Sequence, residues 1–446
     1  MSSYLVLPSR LVNHSLADKT QVIPPEIITE IFLLVCNERV FIPIPLHGYP
    51  WTLGHICSRW RQILWNSPSI WNTLTIGYRY PSVPINPAPR LFISNILEDI
   101  LSKISGVISL FVLDGYIGRV TSTVFENMDR FHELSVHGIS PEMLLSLFQL
   151  PAYSFVNLEE LTLSSTIHER NLDFVASSLE TAPKLRSVTL QIASQVYIPS
   201  FFKLPWSIME HISVTTVPTP PLVIWSIFRT SPCLLSCYFN IDVKMDIPTT
   251  SNIIIPNLSM LDLETDDVFD WDSFFRPLVA PSLESLIITS PRVPCAMLAS
   301  FIIRSNCALR ELDLSEYDRK LHEVDKSDFG LLLDHLSSLT SLSLLQTLPP
   351  PIFFKINDGA LLNLVKAEIF VHPDGFAAFL DVLDAYIVSP TRCFNYLHVV
   401  CFRGPGFSEQ KNRYLARYGE YSTLSGLEVI ILDGNSYSKI QPAIVG

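Results

Sequence analysis

The sequence predicts an α/β fold in which a small helical module over residues 22–76 precedes a solenoid of strand-and-helix units over residues 77–446. Two observations lead to this prediction. Apolar residues first recur at helical spacing and then, from about residue 71, alternate as they do in a half-buried strand. Downstream, a short apolar motif recurs at a nearly constant interval, which is typical of a repeat array. Residues 1–21 lack periodicity and are expected to form a flexible lead-in.

Length and composition limit the class of protein. At 446 residues the chain exceeds one ordinary core, and with 48% hydrophobic and 17% charged residues it must bury most of its length. The net charge of −12 argues against a general nucleic-acid binder. No apolar run approaches the roughly 18–20 residues that span a bilayer, and no signal-peptide pattern opens the chain. We therefore expect a cytoplasmic or nuclear protein that binds neither nucleic acid nor membrane.

The helical module is predicted from two amphipathic segments. Prolines at 24 and 25 suit a helix start, and apolar residues follow at 27, 28, 31, 34 and 35. Residues 41–50 contain three prolines and a glycine and predict an irregular connection. A second helix is indicated by the spacing of Ile56, Trp60, Ile63 and Leu64 and ends before Pro68. Residues 71–76 then alternate as in a strand.

These segments together resemble an F-box, in the F-box-like form common in mushroom-forming fungi. The resemblance lies in I-P-P-E-I-I-x-E-I-F at 23–32, L-x-x-I-C-x-R-W-R at 53–61 and S-P-x-I-W at 67–71. Ile23, where the family often has Leu, and the proline-rich insert depart from its pattern. In that family the module docks on a Skp-type adaptor, which links it to a cullin and a ubiquitin-conjugating enzyme. The resemblance implies adaptor contacts at Pro24, Pro25, Ile27, Ile28, Ile31, Leu53, Ile56, Cys57 and Trp60.

The same residues could instead form only the core of a small helical domain. A unit of this size buries little apolar surface on its own and is marginally stable without a partner. Apolar side chains that cannot all be buried internally form an interaction surface. This reasoning and the resemblance both favour docking.

The repeat array is predicted from the motif L-x-x-L-x-L, with any apolar residue at its three key positions. Motifs start at Trp71, Ile108, Phe131, Leu158, Leu185, Met209, Leu234, Leu258, Leu283, Leu309, Leu339, Leu364, Phe394 and Leu427. From residue 131 to residue 339 the spacings are 27, 27, 24, 25, 24, 25, 26 and 30. Helix-like spans between motifs are 171–180, 221–229, 295–305, 327–335 and 376–388.

This arrangement resembles leucine-rich repeats, in which parallel strands line the inside of the array and helices the outside. The family usually places Asn or Cys after the third leucine, where the side chain satisfies backbone groups at the turn. Here those positions hold Thr166, Ala193, Asp266, Pro291 and Tyr317. The repeats are therefore expected to be irregular, with turns that differ from unit to unit.

The solvent-facing strand positions of the later units are acidic and aromatic. They predict a target-binding groove for a basic, partly apolar peptide, formed by Tyr238, Asp262, Glu264, Glu311, Asp313, Phe370, Tyr396 and His398. The alternative is an ordinary solvated face. The acidic run 264–272 is expected to be a solvated loop with Trp271 turned inward.

Catalytic chemistry leaves little trace. There is no HExxH, no GxSxG and no phosphate-binding glycine loop, and the eight cysteines are dispersed as expected for reduced thiols. The spacing of Cys233 and Cys237 is compatible with a metal-binding pair, but the repeat register predicts that Cys237 lies in the core. We expect no enzyme activity and no cofactor. The predicted function is the substrate-recognition subunit of a cullin-type (SCF) ubiquitin ligase; the alternative is a leucine-rich-repeat scaffold whose F-box serves non-proteolytic assembly.

Overall fold

Parallel strands that follow one another in sequence order, with helices between them, make up the fold. A computed structural model describes residues 22–36, 39–42, 49–77, 90–104, 106–113, 115–165, 178–192, 203–242, 252–265, 268–291, 294–315, 326–344, 363–371, 396–401 and 428–433. The described residues form two compact units, one up to residue 192 together with 203–205, the other from residue 206 onward. Each unit is α/β with a parallel sheet, which confirms the predicted α/β class and is consistent with a leucine-rich-repeat-like solenoid.

The N-terminal segment contains both predicted helices. Its elements are α1 (Pro25–Val35), β1 (Val40–Ile42), α2 (Trp51–Gly54), α3 (Ser58–Trp65), a 3-10 turn (Pro68–Trp71) and β2 (Thr73–Ile76). Helix α1 begins with Pro25 at its first position, where the missing N–H is not needed. Cys57 caps α3, because its Sγ accepts the Trp60 N–H over 3.4 Å.

Strand β1 corrects the start of the irregular connection predicted over residues 41–50; residues 43–48 lie outside the described ranges. Val40 pairs with Leu74 of β2 in a parallel ladder. The run Val40-Phe41-Ile42 favours a strand because it consists of β-branched and aromatic residues, and the first proline comes only after it. Strand β2 also pairs with the next strand of the sheet, Leu74 opposite Leu110. The predicted boundary after residue 76 thus lies between two neighbouring strands.

The rest of the first unit alternates helices and strands. Its elements are α4 (Arg90–Lys103), β3 (Ile108–Val112), α5 (Ile117–Glu126), β4 (Phe131–His137), α6 (Pro141–Phe148), β5 (Glu160–Ser165) and β6 (Ser187–Ile192), with 3-10 turns at Met128–Arg130 and Ala152–Phe155. Strands β1 to β6 pair in sequence order. Helices α4, α5 and α6 are not among the helices predicted from the sequence.

The second unit continues the same pattern. Its elements are a 3-10 turn (Trp206–Ile208), β7 (His211–Thr219), α7 (Pro221–Thr230), β8 (Ser236–Ile241), β9 (Ile253–Ile254), β10 (Met260–Glu264), α8 (Trp271–Phe275), β11 (Leu278–Val279), β12 (Ser285–Thr289), α9 (Cys295–Ser305), β13 (Glu311–Ser315), α10 (Lys326–Leu333), β14 (Ser341–Leu344), β15 (Lys366–Val371), β16 (Tyr396–Cys401) and β17 (Glu428–Asp433). The main sheet runs β7-β8-β10-β12-β13-β14-β15-β16-β17, and β9 and β11 form a separate pair.

Three of the predicted helices are confirmed with small changes of boundary, namely α7, α9 and α10. The helix expected over 376–388 lies outside the described residues. Of the one expected over 171–180, only residues 178–180 are described, and they form a turn.

The register of the sheet confirms the repeat spacing. In the first unit Leu134 stands opposite Leu161, and in the second Leu261, Leu286 and Leu312 stand side by side. The motif leucines from Leu158 to Leu344 are buried wherever the structure describes them. Each fully buried Leu-sized side chain contributes roughly 1.5–3 kcal/mol, and it does so only when a neighbouring unit covers it.

The motif that starts at Ile108 is placed one residue off by the sequence. The pattern predicts Phe111 and Leu113 as its inner residues, whereas Leu110 and Val112 are the residues that pair with the buried Leu134 and Val136 of β4. The reason is a register shift after residue 108, where β4 holds an extra residue. Phe111 lies on the other side, with the Arg39 guanidinium 3.7 Å above its ring.

In three repeats an asparagine just before the first leucine hydrogen-bonds to the preceding repeat. Asn157 Nδ2 donates to the Asp129 carbonyl over 2.8 Å, Asn257 Nδ2 to Pro232 over 2.9 Å, and Asn363 Nδ2 to Ser337 over 2.8 Å. The resemblance to leucine-rich repeats predicts such a residue only after the third leucine. Of the five positions named after the third leucine, only Pro291 lies in a described range.

Replacing Asn257 with Ala is expected to lower the free energy of unfolding by about 1 kcal/mol, because the Pro232 carbonyl loses its amide partner. Urea unfolding of the full chain measures this loss. The exposed Asn252, replaced by Ala, serves as the control and should change little. An equal effect of the two substitutions would contradict the role of this hydrogen bond.

Candidate functional site

Helix α1 has apolar residues on two sides, and only one side is covered. Ile28 and Phe32 are fully buried, and the Phe32 ring packs edge-on against Trp60 of α3 with centroids 5.1 Å apart. Ile27, Ile31 and Leu34 are 51%, 37% and 77% exposed. Their spacing of four and three residues places them on one face of the helix. We call these three residues the α1 strip.

The residues predicted to contact the adaptor divide into three groups. Pro24, Pro25, Ile27, Ile31 and Ile56 are exposed; Cys57 and Trp60 are half-buried; Ile28 and Leu53 are buried. Ile28 and Leu53 therefore support the helices from inside. Leu34 was counted only toward helix periodicity, although its position three residues after Ile31 could have indicated that it shares the exposed face.

The α1 strip is held on a rigid frame. Arg59 of α3 donates through Nη2 to the Ile23 carbonyl over 2.6 Å, which fixes the start of α1. Beneath the helices, Trp65 and Trp71 stack with centroids 4.6 Å apart. The Trp71 Nε1–H donates to the Leu64 carbonyl over 3.0 Å. Because these contacts already fix the backbone of α1, binding of a partner would cost little conformational entropy in this helix.

A second candidate surface lies on the second unit. We use outward face for the side of strands β8, β10, β12, β13 and β14 that is opposite the buried motif leucines. Register places one outward residue per strand in a row across the sheet: Tyr238, Asp262, Ile287, Asp313 and Ser343. All five are half-buried. Ile287 thus separates the two aspartates, whose backbones are about 10 Å apart because neighbouring strands are about 4.8 Å apart.

The outward face is strongly acidic. Glu264 is half-buried and Glu311 exposed, and both stand beside the row. Burial, and secondarily the negative charge of Asp313, raise the pKa of Asp262 to about 7. Hydroxyl groups on the same face donate to carboxylates, Ser285 Oγ to Glu311 over 2.8 Å and Ser315 Oγ to Asp313 over 2.7 Å. The outward positions of these five strands hold no Lys or Arg.

The remaining predicted target-binding residues lie farther along the same sheet. Phe370 belongs to β15, and Tyr396 and His398 belong to β16. His398 stands opposite Glu368, which makes it part of the row of Asp262 and Asp313. Their side chains lie outside the described part of the chain, so their contribution stays a prediction.

The raised pKa of Asp262 predicts that stability depends on pH. The folded pKa of about 7 exceeds the ordinary value of 3.8, so the folded state holds this proton more tightly than the unfolded state. The stabilisation is fully present below the unfolded pKa and is lost as pH rises through the folded one. Asp262→Asn should therefore stabilise the chain by about 1–2 kcal/mol at about pH 8, and by less at about pH 5.

Urea unfolding at the two pH values measures this difference. The exposed Asp129, replaced by Asn, is the control and should show no such pH dependence. If Asp262→Asn changed stability equally at both pH values, the ionisation of Asp262 would not be the cause.

The cysteine pair and the acidic run have structural roles. Cys237 is buried, as predicted, and burial raises the pKa of its thiol, while Cys233 is exposed. In the run 264–272, Trp271 is buried as predicted, and its Nε1–H donates to Ser290 Oγ over 3.1 Å. The end of this run is the start of helix α8 and not a loop. Asp270 Oδ1 caps that helix by accepting the Ser273 N–H over 3.1 Å, which lowers the pKa of Asp270.

Comparison with protein-family models gives no match, and no curated protein matches the chain. Among solved structures, one described as "Crystal structure of TLR13-ssRNA13 complex" is similar with a TM-score of 0.35 and 13% identity. The similarity covers 70% of this chain and 44% of that chain, so this chain spans less than half of that protein. A similarity this low carries no argument about what this chain binds.

Two negative findings concern the described ranges alone. No helix there is long and apolar enough to cross a membrane. No cluster of three or more His, Cys, Asp or Glu side chains in those ranges is arranged to hold a metal ion.

Proposed function

We propose that this chain is the substrate-recognition subunit of a cullin-type (SCF) ubiquitin ligase. The helical module binds a Skp-type adaptor through the α1 strip, and the repeat units bind target proteins. The observation that carries the proposal is the exposure of Ile27, Ile31 and Leu34 on a helix that is anchored by the fully buried Ile28 and Phe32. This strip lies in the segment that resembles an F-box.

The size and spacing of the strip suit a docking helix. Contiguous apolar side chains that stay exposed on a folded protein mark interaction sites. Anchors three and four residues apart are how a helix lies in an apolar groove of a partner. Burying three such side chains contributes several kcal/mol, at roughly 1.5–3 kcal/mol for each one fully buried.

In this role the chain performs no chemistry itself. A ubiquitin-conjugating enzyme bound elsewhere on the ligase modifies the target, and the chain raises the rate by holding the target near it. The repeat units suit target selection because a parallel array presents one row of outward side chains after another, as in the row from Tyr238 to Ser343.

The direct test is binding of the purified full chain to a purified Skp-type adaptor, followed by assembly with the cullin. The expected result is a stable complex that includes all three proteins. Failure to bind the adaptor would overturn the proposal. If the chain binds the adaptor but its bound proteins do not accumulate in cells after deletion of residues 22–76, the non-proteolytic scaffold would be the correct function.

A further inference from the structure

We propose that the outward face binds a basic segment of the target protein, with an arginine side chain lying over Ile287 between the carboxylates of Asp262 and Asp313. The inference rests on the proposed recognition function and names the class of target segment that the repeats accept. It draws on residues of the second unit alone.

The register supplies the geometry. Asp262 and Asp313 are Cα partners of Ile287 on its two sides, so one apolar side chain lies between two carboxylates. A guanidinium is planar and carries five N–H donors, so it can lie flat on an apolar side chain while it donates toward carboxylates at both ends. A compact ammonium has no such extended plane.

The negative charge of the outward face favours a positively charged partner. Asp262, Glu264, Glu311 and Asp313 place four carboxylates on outward positions of β10 and β13. An acidic face of this kind attracts basic segments over several ångströms and speeds their association.

Apolar side chains beside the acids accept the rest of the segment. Tyr238 stands next to Asp262 in the row and presents an aromatic ring to a cation or an aliphatic side chain. Met260, which precedes Asp262 by two residues, is 37% exposed. The methylene groups of an arginine can pack on such residues while its charge stays near the carboxylates.

Binding to the outward face should depend on pH, because Asp262 ionises near neutral pH. The groups facing Asp262 are Tyr238 on β8, Asp313 beyond Ile287 and Glu264 on its own strand, while the buried Cys237 thiol lies on the other side of the sheet. The pKa of Asp262 is raised to about 7, so near neutral pH this carboxyl is partly protonated. A bound cation favours the charged form, so affinity should rise as pH rises from about 5 to about 8.

Selection from a random peptide display library against the purified full chain tests the proposal. We expect the selected peptides to be enriched in arginine flanked by apolar residues. Resynthesised peptides should bind the double variant Asp262→Asn/Asp313→Asn about tenfold or more weakly, and should bind the natural chain more tightly at the higher pH. The matched control is Glu133→Gln/Glu160→Gln, which removes two acids from paired strand positions of the first unit and should leave binding unchanged.

Three results would overturn the inference: no enrichment, enrichment of neutral or acidic peptides, or equal binding by the double variant. Because the library needs no adaptor, its failure is distinct from a failure of adaptor binding. The double variant should still unfold cooperatively and bind the adaptor, which excludes misfolding as the cause of a lost peptide.

Discussion

Glutamate in place of Ile31 is expected to weaken binding to a Skp-type adaptor by about 100-fold or more. Ile31 is 37% exposed, so the substitution leaves the buried face of α1 intact. In the complex it would place a charge where an apolar contact is expected, and a loss of about 2.7 kcal/mol suffices for this factor. Calorimetric titration of the purified full chain with the adaptor measures the effect. Leu34→Glu should behave similarly because Leu34 lies on the same face.

The matched control for this prediction is Ile303→Glu on helix α9. Ile303 is also an exposed isoleucine in a helix, with 54% of its surface accessible, but it belongs to the second unit. Adaptor affinity should be unchanged in this variant, and all variants should keep the thermal unfolding temperature of the natural chain within a few degrees. Wild-type affinity in both Ile31→Glu and Leu34→Glu would show that the adaptor uses another surface.

Much of the repeat architecture could be predicted from the sequence, because two independent patterns indicate which residues of each strand are buried. One is the alternation of apolar and polar residues along the strand, and the other is the regular spacing of the motif. Leu261, Leu286 and Leu312 stand side by side as their spacing predicted. The same rule failed at Ile108. There an extra residue in β4 shifted the register, and only the pairing of the strands reveals such an insertion.

Several helices and strands were missed because their local signals are weak. Helix α5 (Ile117–Glu126) includes Gly118 and two threonines, which have low helix propensity, and its stability comes from the buried Val120 and Val124. Strands β9 and β11 have two residues each, too few for an alternating pattern. Tertiary packing decides such elements, and a single sequence does not contain it.

The candidate sites depend even more on packing. The sequence shows seven large apolar residues on α1 but does not say which face of the helix α3 covers. The contact of Phe32 with Trp60 decides that. On the outward face, each acid could be predicted as solvent-facing from its own strand. That Asp262 and Asp313 flank one apolar residue follows only from the order of β10, β12 and β13.

Replacing Leu286 with Ala is expected to lower the free energy of unfolding by about 2–5 kcal/mol. Leu286 is fully buried between Leu261 and Leu312, so truncation leaves a cavity between two other buried leucines. The effect should spread to neighbouring units, because each unit covers the apolar side chains of the next. Urea unfolding followed by tryptophan fluorescence measures the loss, and the buried Trp225 and Trp271 of the second unit contribute to that signal.

The next residue of the same strand provides the control that tests the register itself. Ile287 is as apolar as Leu286, but its side chain points to the outward face and is only half-buried. Ile287→Ala should therefore cost less than half of what Leu286→Ala costs, since it removes fewer buried contacts and leaves no closed cavity. Because side chains alternate along a strand, a register wrong by one residue would reverse this order. A larger loss for Ile287→Ala would contradict both the assignment of the core and the outward face built on it.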